Sequence, residues 1–179
     1  QEPLRPHTTD QISGPLVIEG NVAEGKDRSI RAAVMLPSES TADPIAIELD
    51  IDETEHADRL NVFNDSSVSD DRGLMKSTHL RNDIVLLGDV ANGIDPINLS
   101  GLGMGGDVTF DISEAQDGSD MVTIPGGVTF DDIEVTELLL GRGNDRLDIE
   151  ATSSGTFGAS NFVVTAIHGG GNTMLSALG

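Results

Sequence analysis

Short runs of apolar residues alternate along the whole chain with turns rich in glycine, proline and acidic residues. Because these runs are mostly too short for a helix and are rich in Val and Ile, they predict β-strands. The predicted strands cover residues 15–18, 30–36, 45–51, 59–63, 84–87, 107–112, 121–124, 127–130, 133–140, 146–149 and 162–167. One further segment, residues 70–81, is weakly periodic and predicts a short helix. The chain is therefore predicted to be all-β.

A recurring pattern organises these strands. A small residue or Asn is followed by an acid and then by apolar residues, and the key positions are spaced by 25 to 37 residues. They are Asp58, Asp83, Asp120, Asp145 and, in a degenerate copy, Thr173. This spacing suits one turn of a parallel β-solenoid with irregular coils and loops. The alternative is an ordinary β-sandwich with Asp-rich hairpin turns.

The pattern also divides the chain. Residues 1–14, with their prolines and threonines, predict an extended N-terminal arm, and residues 15–179 predict a β-solenoid-like repeat domain. The last residues, 175–179, have the pattern of a strand that continues, so we expect the domain to be truncated at its C-terminal end. The first residues have no basic segment followed by an apolar one, so they do not resemble a signal peptide.

Composition narrows the possible functions. The 179 residues include 31 acids and 10 bases, which gives a net charge of −21, and the chain contains no Cys, Trp or Tyr. This charge argues against nucleic-acid binding, and the lack of Cys excludes a disulfide scaffold or a thiol enzyme. Like charges repel each other in a compact fold. A surface that is merely acidic and soluble is one interpretation, but calcium bound by carboxylates and turn carbonyls is favoured.

One segment carries a recognisable calcium chemistry. The nonapeptide G-G-x-G-x-D-x-U-x, where U is apolar, winds a calcium-binding β-roll. Gly141, Gly143, Asp145 and Leu147 match it in frame, and Leu140 replaces its first glycine. The glycines let the backbone turn and expose carbonyls, the Asp supplies a charged oxygen, and the apolar residue anchors the next strand. We therefore expect the Asp145 side chain and the carbonyls of Gly141 and Gly143 to be calcium ligands.

Weaker copies of the motif occur elsewhere. Residues 168–175 keep Gly169, Gly171 and Leu175 in frame, but Thr173 replaces the aspartate. Asp120 and Asp58 stand in turns that have lost most of the glycines, and they are predicted as further ligands. Isolated calcium sites are therefore expected rather than a regular ladder of ions.

Several segments together resemble the hemolysin-type calcium-binding (RTX) class, and in particular modules of very large secreted bacterial repeat proteins. They are GPLVIEGNVAEG (14–25), DRLNVFND (58–65), LSGLGMGG (99–106), IPGGVTF (124–130) and LLLGRGNDRL (138–147). The resemblance implies export to the cell surface or medium, calcium-dependent folding and an adhesive or structural role. The implied partners are neighbouring repeat modules, copies of the chain itself, and cell-surface or matrix polysaccharide.

Two other functions remain as alternatives. The first is a carbohydrate- or surface-binding domain on a solenoid scaffold, for which the absence of Trp and Tyr is unfavourable. The second is a polysaccharide-degrading enzyme. The acid pairs Asp70-Asp71 and Asp131-Asp132 are each adjacent in sequence, and neighbours on a strand point to opposite faces, so they do not form a catalytic pair. The four histidines are scattered and no nucleophile motif is present, so no enzyme is predicted.

Overall fold

The computed structural model describes residues 6–20, 57–79, 96–153, 163–171 and 174–177. The strands predicted at 30–36, 45–51 and 84–87 lie outside these residues, as do Asp83 and Thr173. The described segments contain one helical turn, Thr9–Gln11, of three residues. None of the described segments forms a helix long and apolar enough to cross a membrane.

The described chain is built from strands, which confirms the all-β prediction. In chain order they are β1 Leu16–Glu19, β2 Arg59–Phe63, β3 Arg72–Ser77, β4 Ile97–Gly101, β5 Val108–Asp111, β6 Met121–Ile124, β7 Val128–Asp131, β8 Val135–Leu139, β9 Arg146–Ile149, β10 Val164–His168 and β11 Met174–Ala177. The predicted limits of β2, β6 and β9 agree with the structure. Each of these runs is bounded by turn-forming residues that stop the strand on both sides.

Three strand pairs repeat the same path through the molecule. The pairs are β2–β3, β8–β9 and β10–β11, and in each pair the chain leaves one sheet, makes a turn and enters the other sheet. β2, β8 and β10 form a three-stranded parallel sheet in the order β10-β8-β2. β3, β9 and β11 lie parallel in the second sheet in the matching order. Equivalent residues of the three pairs are therefore stacked in register.

The second sheet continues beyond these parallel strands. Its full order is β1-β7-β4-β3-β9-β11, and β4 runs antiparallel to both β3 and β7. β5 and β6 form a separate antiparallel hairpin. The second sheet is therefore mixed, and the parallel pairing expected of a β-solenoid does not extend to β4 or to the β5–β6 hairpin.

The helix predicted over residues 70–81 is wrong, because β3 occupies most of this segment. β3 has a paired strand on each side, β4 and β9, so its backbone hydrogen bonds are made between strands. Its inward side alternates through Gly73 and Met75, which are both buried. A methyl group on Gly73 would lie 2.8 Å from Cδ1 of Leu147, its register partner on β9, so glycine leaves room for this leucine side chain within the sheet. Tertiary pairing has overridden a weak local helical pattern.

The core lies between the two sheets and under the inserted segment. Leu138 projects inward from β8, Leu147 from β9, Phe130 from β7 and Leu99 from β4, and all four are almost fully buried. Burial of each such side chain stabilises the fold by about 1.5–3 kcal/mol relative to an exposed position. This core holds the strand ends, and therefore the turns between the sheets, in fixed positions.

Candidate metal centre

Three turns lie one above another along one edge of the molecule. The first turn is residues 64–71, the second is residues 140–145, and the third is described over residues 169–171. The backbone N–H of Arg142 in the second turn donates to the carbonyl of Ser67 in the first, at 2.7 Å. At the end of the second turn, the carbonyl of Asp145 accepts from the N–H of Met174 at 2.8 Å. The stacked turns are therefore linked by main-chain hydrogen bonds.

Glycines allow the turns to approach this closely. A methyl group built on Gly141 would lie 2.6 Å from the Ser67 carbonyl oxygen, and one on Gly143 would overlap the carbonyl of Ser69. Gly171 stands against the second turn in the same way, 2.5 Å from the Arg142 carbonyl oxygen by the same measure. The glycines of the sequence motif therefore lie where backbone meets backbone.

Asp145 is the buried acid of this edge, with only 1% of its surface exposed. One of its carboxylate oxygens, Oδ1, accepts the main-chain N–H of Asp71 at 3.0 Å. The other oxygen, Oδ2, is buried and has no hydrogen-bond partner in the described structure. A buried carboxylate oxygen without a partner is costly, so a group that supplies positive charge would be strongly favoured there.

Asp71 and Asn64 were not predicted from the sequence, yet they form the support of Asp145. Oδ2 of Asp71 accepts from Nδ2 of Asn64 at 3.0 Å and from Oγ of Ser67 at 2.8 Å. Strand pairing makes Asp71 the counterpart of Asp145, because Arg72 is in register with Arg146. In both strands the first residue is an arginine that directly follows an aspartate, and this repeated Asp-Arg dipeptide is the sequence signal that could have identified Asp71.

Asp70 links the same two turns on their solvent-exposed side. Its Oδ1 accepts the main-chain N–H of Asn144 at 2.9 Å and the side-chain amide of Asn144 at 3.1 Å. The Asn144 backbone N–H, helped by the amide, lowers the pKa of the Asp70 carboxyl below its ordinary value. Asp70 is exposed to solvent and remains ionised at neutral pH, so it adds negative charge beside Asp145.

The other predicted ligands lie elsewhere. Asp58 precedes β2 at the end opposite the first turn, about 16 Å away along a five-residue strand, and its N–H donates to Oε2 of Glu134 at 2.7 Å. Asp120 immediately precedes β6 in the separate hairpin, where its carbonyl accepts from the N–H of Ile112 at 2.9 Å. Asp145, Gly141 and Gly143 therefore share the second turn, whereas Asp58 and Asp120 lie in other parts of the described structure.

Asp145 offers a carboxylate oxygen, which is the kind of ligand that a hard cation such as calcium prefers. In the described segments, no group of three or more His, Cys, Asp or Glu side chains is arranged to hold a metal ion. Calcium commonly combines one or two carboxylates with backbone carbonyls and water. The buried Oδ2 of Asp145, which has no hydrogen-bond partner in the described structure, would supply the carboxylate oxygen of such a site.

The N-terminal arm packs against the first turn. Thr9 is buried; both its N–H and its Oγ hydroxyl donate to Oδ1 of Asn64, at 3.1 and 3.2 Å, and the hydroxyl also contacts the Leu102 carbonyl. A cavity of about 220 Å³ lies between the arm and the turn, and both Asp10 and Asp71 line it. The Thr8 hydroxyl, which contacts Asp10, is the main cause of the lowered pKa of that carboxyl.

Comparison with known proteins finds no relative of this chain. No protein-family model matches the sequence, and neither a curated protein nor a solved structure is significantly similar to it. The functional argument therefore depends on the stacked turns and on the chemistry of Asp145.

Proposed function

We propose that this chain is a non-enzymatic, extracellular, calcium-binding module of a large secreted or surface bacterial protein, with a structural or adhesive role. Calcium would be bound at Asp145, with carbonyls of Gly141 and Gly143 as further ligands. The observation that carries this proposal is the buried Oδ2 of Asp145, which has no partner in the described chain. A divalent cation would compensate its charge and would link the second turn to its neighbours.

The proposed architecture is a parallel β-solenoid with an inserted antiparallel segment. Support comes from the three strand pairs β2–β3, β8–β9 and β10–β11, which are parallel and in register in both sheets. In such a stack each strand pair buries its apolar residues only against its neighbours. Ions between the turns would therefore stabilise the contacts on which the whole stack depends.

The same proposal includes association with a neighbouring module or a second copy. Among the described strands, β10 pairs only with β8 and β11 pairs only with β9. Met174 is 61% exposed and Leu175 is 52% exposed on this outer strand. Unpaired strand edges with apolar residues are natural sites for the addition of further strands.

Calcium would act by binding the folded state alone. If the dissociation constant is about 10 μM, then 1 mM calcium stabilises the fold by about 2.7 kcal/mol, which raises the unfolding midpoint by roughly 5–10 °C for a chain of this size. Folding would thereby be coupled to the calcium concentration of the surrounding medium.

The test is thermal unfolding followed by far-UV circular dichroism, in EGTA and in millimolar calcium, with magnesium as the control ion. Asp145→Asn preserves the shape of the side chain and removes its charge, so we expect the variant to lose the calcium-induced rise in midpoint. Asp120→Asn is the matched control and should keep the full rise, because Asp120 lies in the separate hairpin. Identical unfolding of the wild-type protein in calcium and in EGTA would refute the proposed function.

A further inference from the structure

We propose that the N-terminal arm and the calcium site at Asp145 are energetically coupled, with Asn64 as the positioning residue between them. This inference rests on the proposed function, since it concerns the regulation of the same site. Calcium would fasten the arm to the first turn, and the docked arm would in turn tighten the binding of calcium.

A continuous series of hydrogen bonds joins the two places. The backbone N–H and hydroxyl of Thr9 donate to Oδ1 of Asn64, and Nδ2 of Asn64 donates to Oδ2 of Asp71 at 3.0 Å. The main-chain N–H of Asp71 then donates to Oδ1 of Asp145 at 3.0 Å. Thr9, Asn64 and Asp145 are each at most 2% exposed and Asp71 is half-buried, so most of the series runs through the interior, where water weakens a hydrogen bond less.

The orientation of Asn64 follows from its partners. A main-chain N–H can only donate, so the side-chain atom that faces the N–H of Thr9 must be the carbonyl oxygen, Oδ1. The amide nitrogen therefore faces the carboxylate of Asp71, which can only accept while it is ionised. Asn64 is thus held between the arm and Asp71. An amide group rotated by about 180° would lose both contacts.

This arrangement determines which oxygen of Asp145 is available to an ion. The Asp71 N–H holds Oδ1, and this contact fixes the rotation of the carboxylate so that Oδ2 remains for a cation. If the arm leaves, Asn64 loses its contacts with Thr9, and the restraint on Asp71 is weakened. Residues that orient the ligands of a metal in this way commonly change its affinity by 10–100-fold when they are replaced.

Coupling of this kind is reciprocal. If the docked arm raises the affinity for calcium by some factor, calcium must strengthen the docking of the arm by the same factor. The arm also contacts the inserted segment, where the Gly105 N–H donates to the Ile12 carbonyl at 2.7 Å. Calcium binding at Asp145 would therefore also stabilise the contact between the arm and the β4–β5 connection.

Two variants and a control separate this coupling from a general loss of stability. Asn64→Ala removes the link between the arm and Asp71. Thr9→Val keeps the size of the side chain and the N–H contact but removes the buried hydroxyl. Thr8→Val is the matched control, because it makes the same substitution at the adjacent residue, whose hydroxyl contacts Asp10 instead of Asn64.

Two measurements are made on the full chain. Isothermal titration with calcium gives the affinity, and hydrogen–deuterium exchange of the peptide covering residues 6–15 reports arm docking with and without calcium. We expect calcium to slow exchange of the wild-type arm and Asn64→Ala to weaken calcium binding about tenfold. Thr9→Val should weaken binding to a smaller extent, whereas Thr8→Val should bind as the wild-type protein does. Far-UV circular dichroism verifies that each variant is folded.

The possible failures are distinguishable. If the wild-type protein binds calcium but its arm exchanges at the same rate with and without the ion, and Thr9→Val binds normally, the coupling is refuted and the proposed function stands. If the wild-type protein binds no calcium, both proposals are refuted together. A calcium-dependent change in the β5–β6 hairpin equal to that in the arm would also overturn the coupling, because the effect would then be global.

Discussion

Gly143 shows how a single residue controls the approach of two turns. A side chain at this position would be directed at the carbonyl of Ser69, which belongs to the backbone of the first turn and cannot rotate away. The conformational freedom of glycine is therefore secondary here, and its lack of a Cβ atom is what the packing requires. The glycines of the motif are thus explained by contact between turns even before an ion is considered.

We expect Gly143→Ala to destabilise the fold by about 2 kcal/mol or more, because one of two backbone segments must move. Chemical denaturation in EGTA gives this free energy of unfolding without any contribution from calcium. Gly106→Ala is the control: a methyl group there meets no atom within 4 Å, and we expect a change of less than about 0.5 kcal/mol. Equal effects of the two substitutions would contradict the close stacking of the turns.

The turns show why one half of the candidate site was predicted from the sequence and the other half was not. The second turn is six residues long and contains two glycines before its aspartate, which is the form that the calcium-binding motif describes. The first turn spans eight residues, 64–71, and contains no glycine. Its role became visible only through the register of β3 against β9, which places Asp71 opposite Asp145.

The inward side of β3 can be tested by substitution. Met75 lies on its inward side and is 1% exposed, so Met75→Ala should cost about 2–4 kcal/mol through lost burial and the cavity that remains. Met121 on β6 is 52% exposed, and Met121→Ala should cost less than about 0.5 kcal/mol. Urea denaturation of both variants makes the comparison. A small effect at Met75 would contradict the inward orientation of this side of β3.

At the scale of the whole molecule, the net charge of −21 opposes compaction wherever it is not compensated. Dissolved salt and a bound cation reduce this repulsion in different ways. Monovalent salt screens all exposed charges, and at about 1 M the screening length falls to roughly 3 Å. A bound divalent ion instead compensates a particular buried carboxylate, which salt in solution screens much less.

This difference predicts the outcome of a salt titration. In EGTA, we expect sodium chloride to raise the unfolding midpoint as it screens the repulsion between exposed acids. Addition of millimolar calcium should raise the midpoint further even in about 1 M sodium chloride, because Asp145 is buried. If sodium chloride at equal ionic strength reproduces the entire calcium effect, the acidity acts only as surface charge, and a site at Asp145 is contradicted.

The sequence by itself determined the strand class and the limits of β2, β6 and β9, and it predicted a calcium site in the turn around Asp145. These features are local: alternating apolar residues, turn-forming boundaries and a glycine–aspartate motif act within a few residues. Within the described residues, each apolar run predicted as a strand therefore coincides with a strand, whereas β3 and β4 were not predicted as strands.

Only the tertiary structure decided which strands are neighbours and which polar side chains meet. Strand pairing placed β3 in the weakly helical segment 70–81, and the 57 residues 78–134 separate β3 from the β8–β9 pair on which it stacks. Asn64, Asp71 and Thr9 meet because their backbones are brought together by that stacking. Contacts across such distances in sequence depend on register, and register is set by the packing of the whole core.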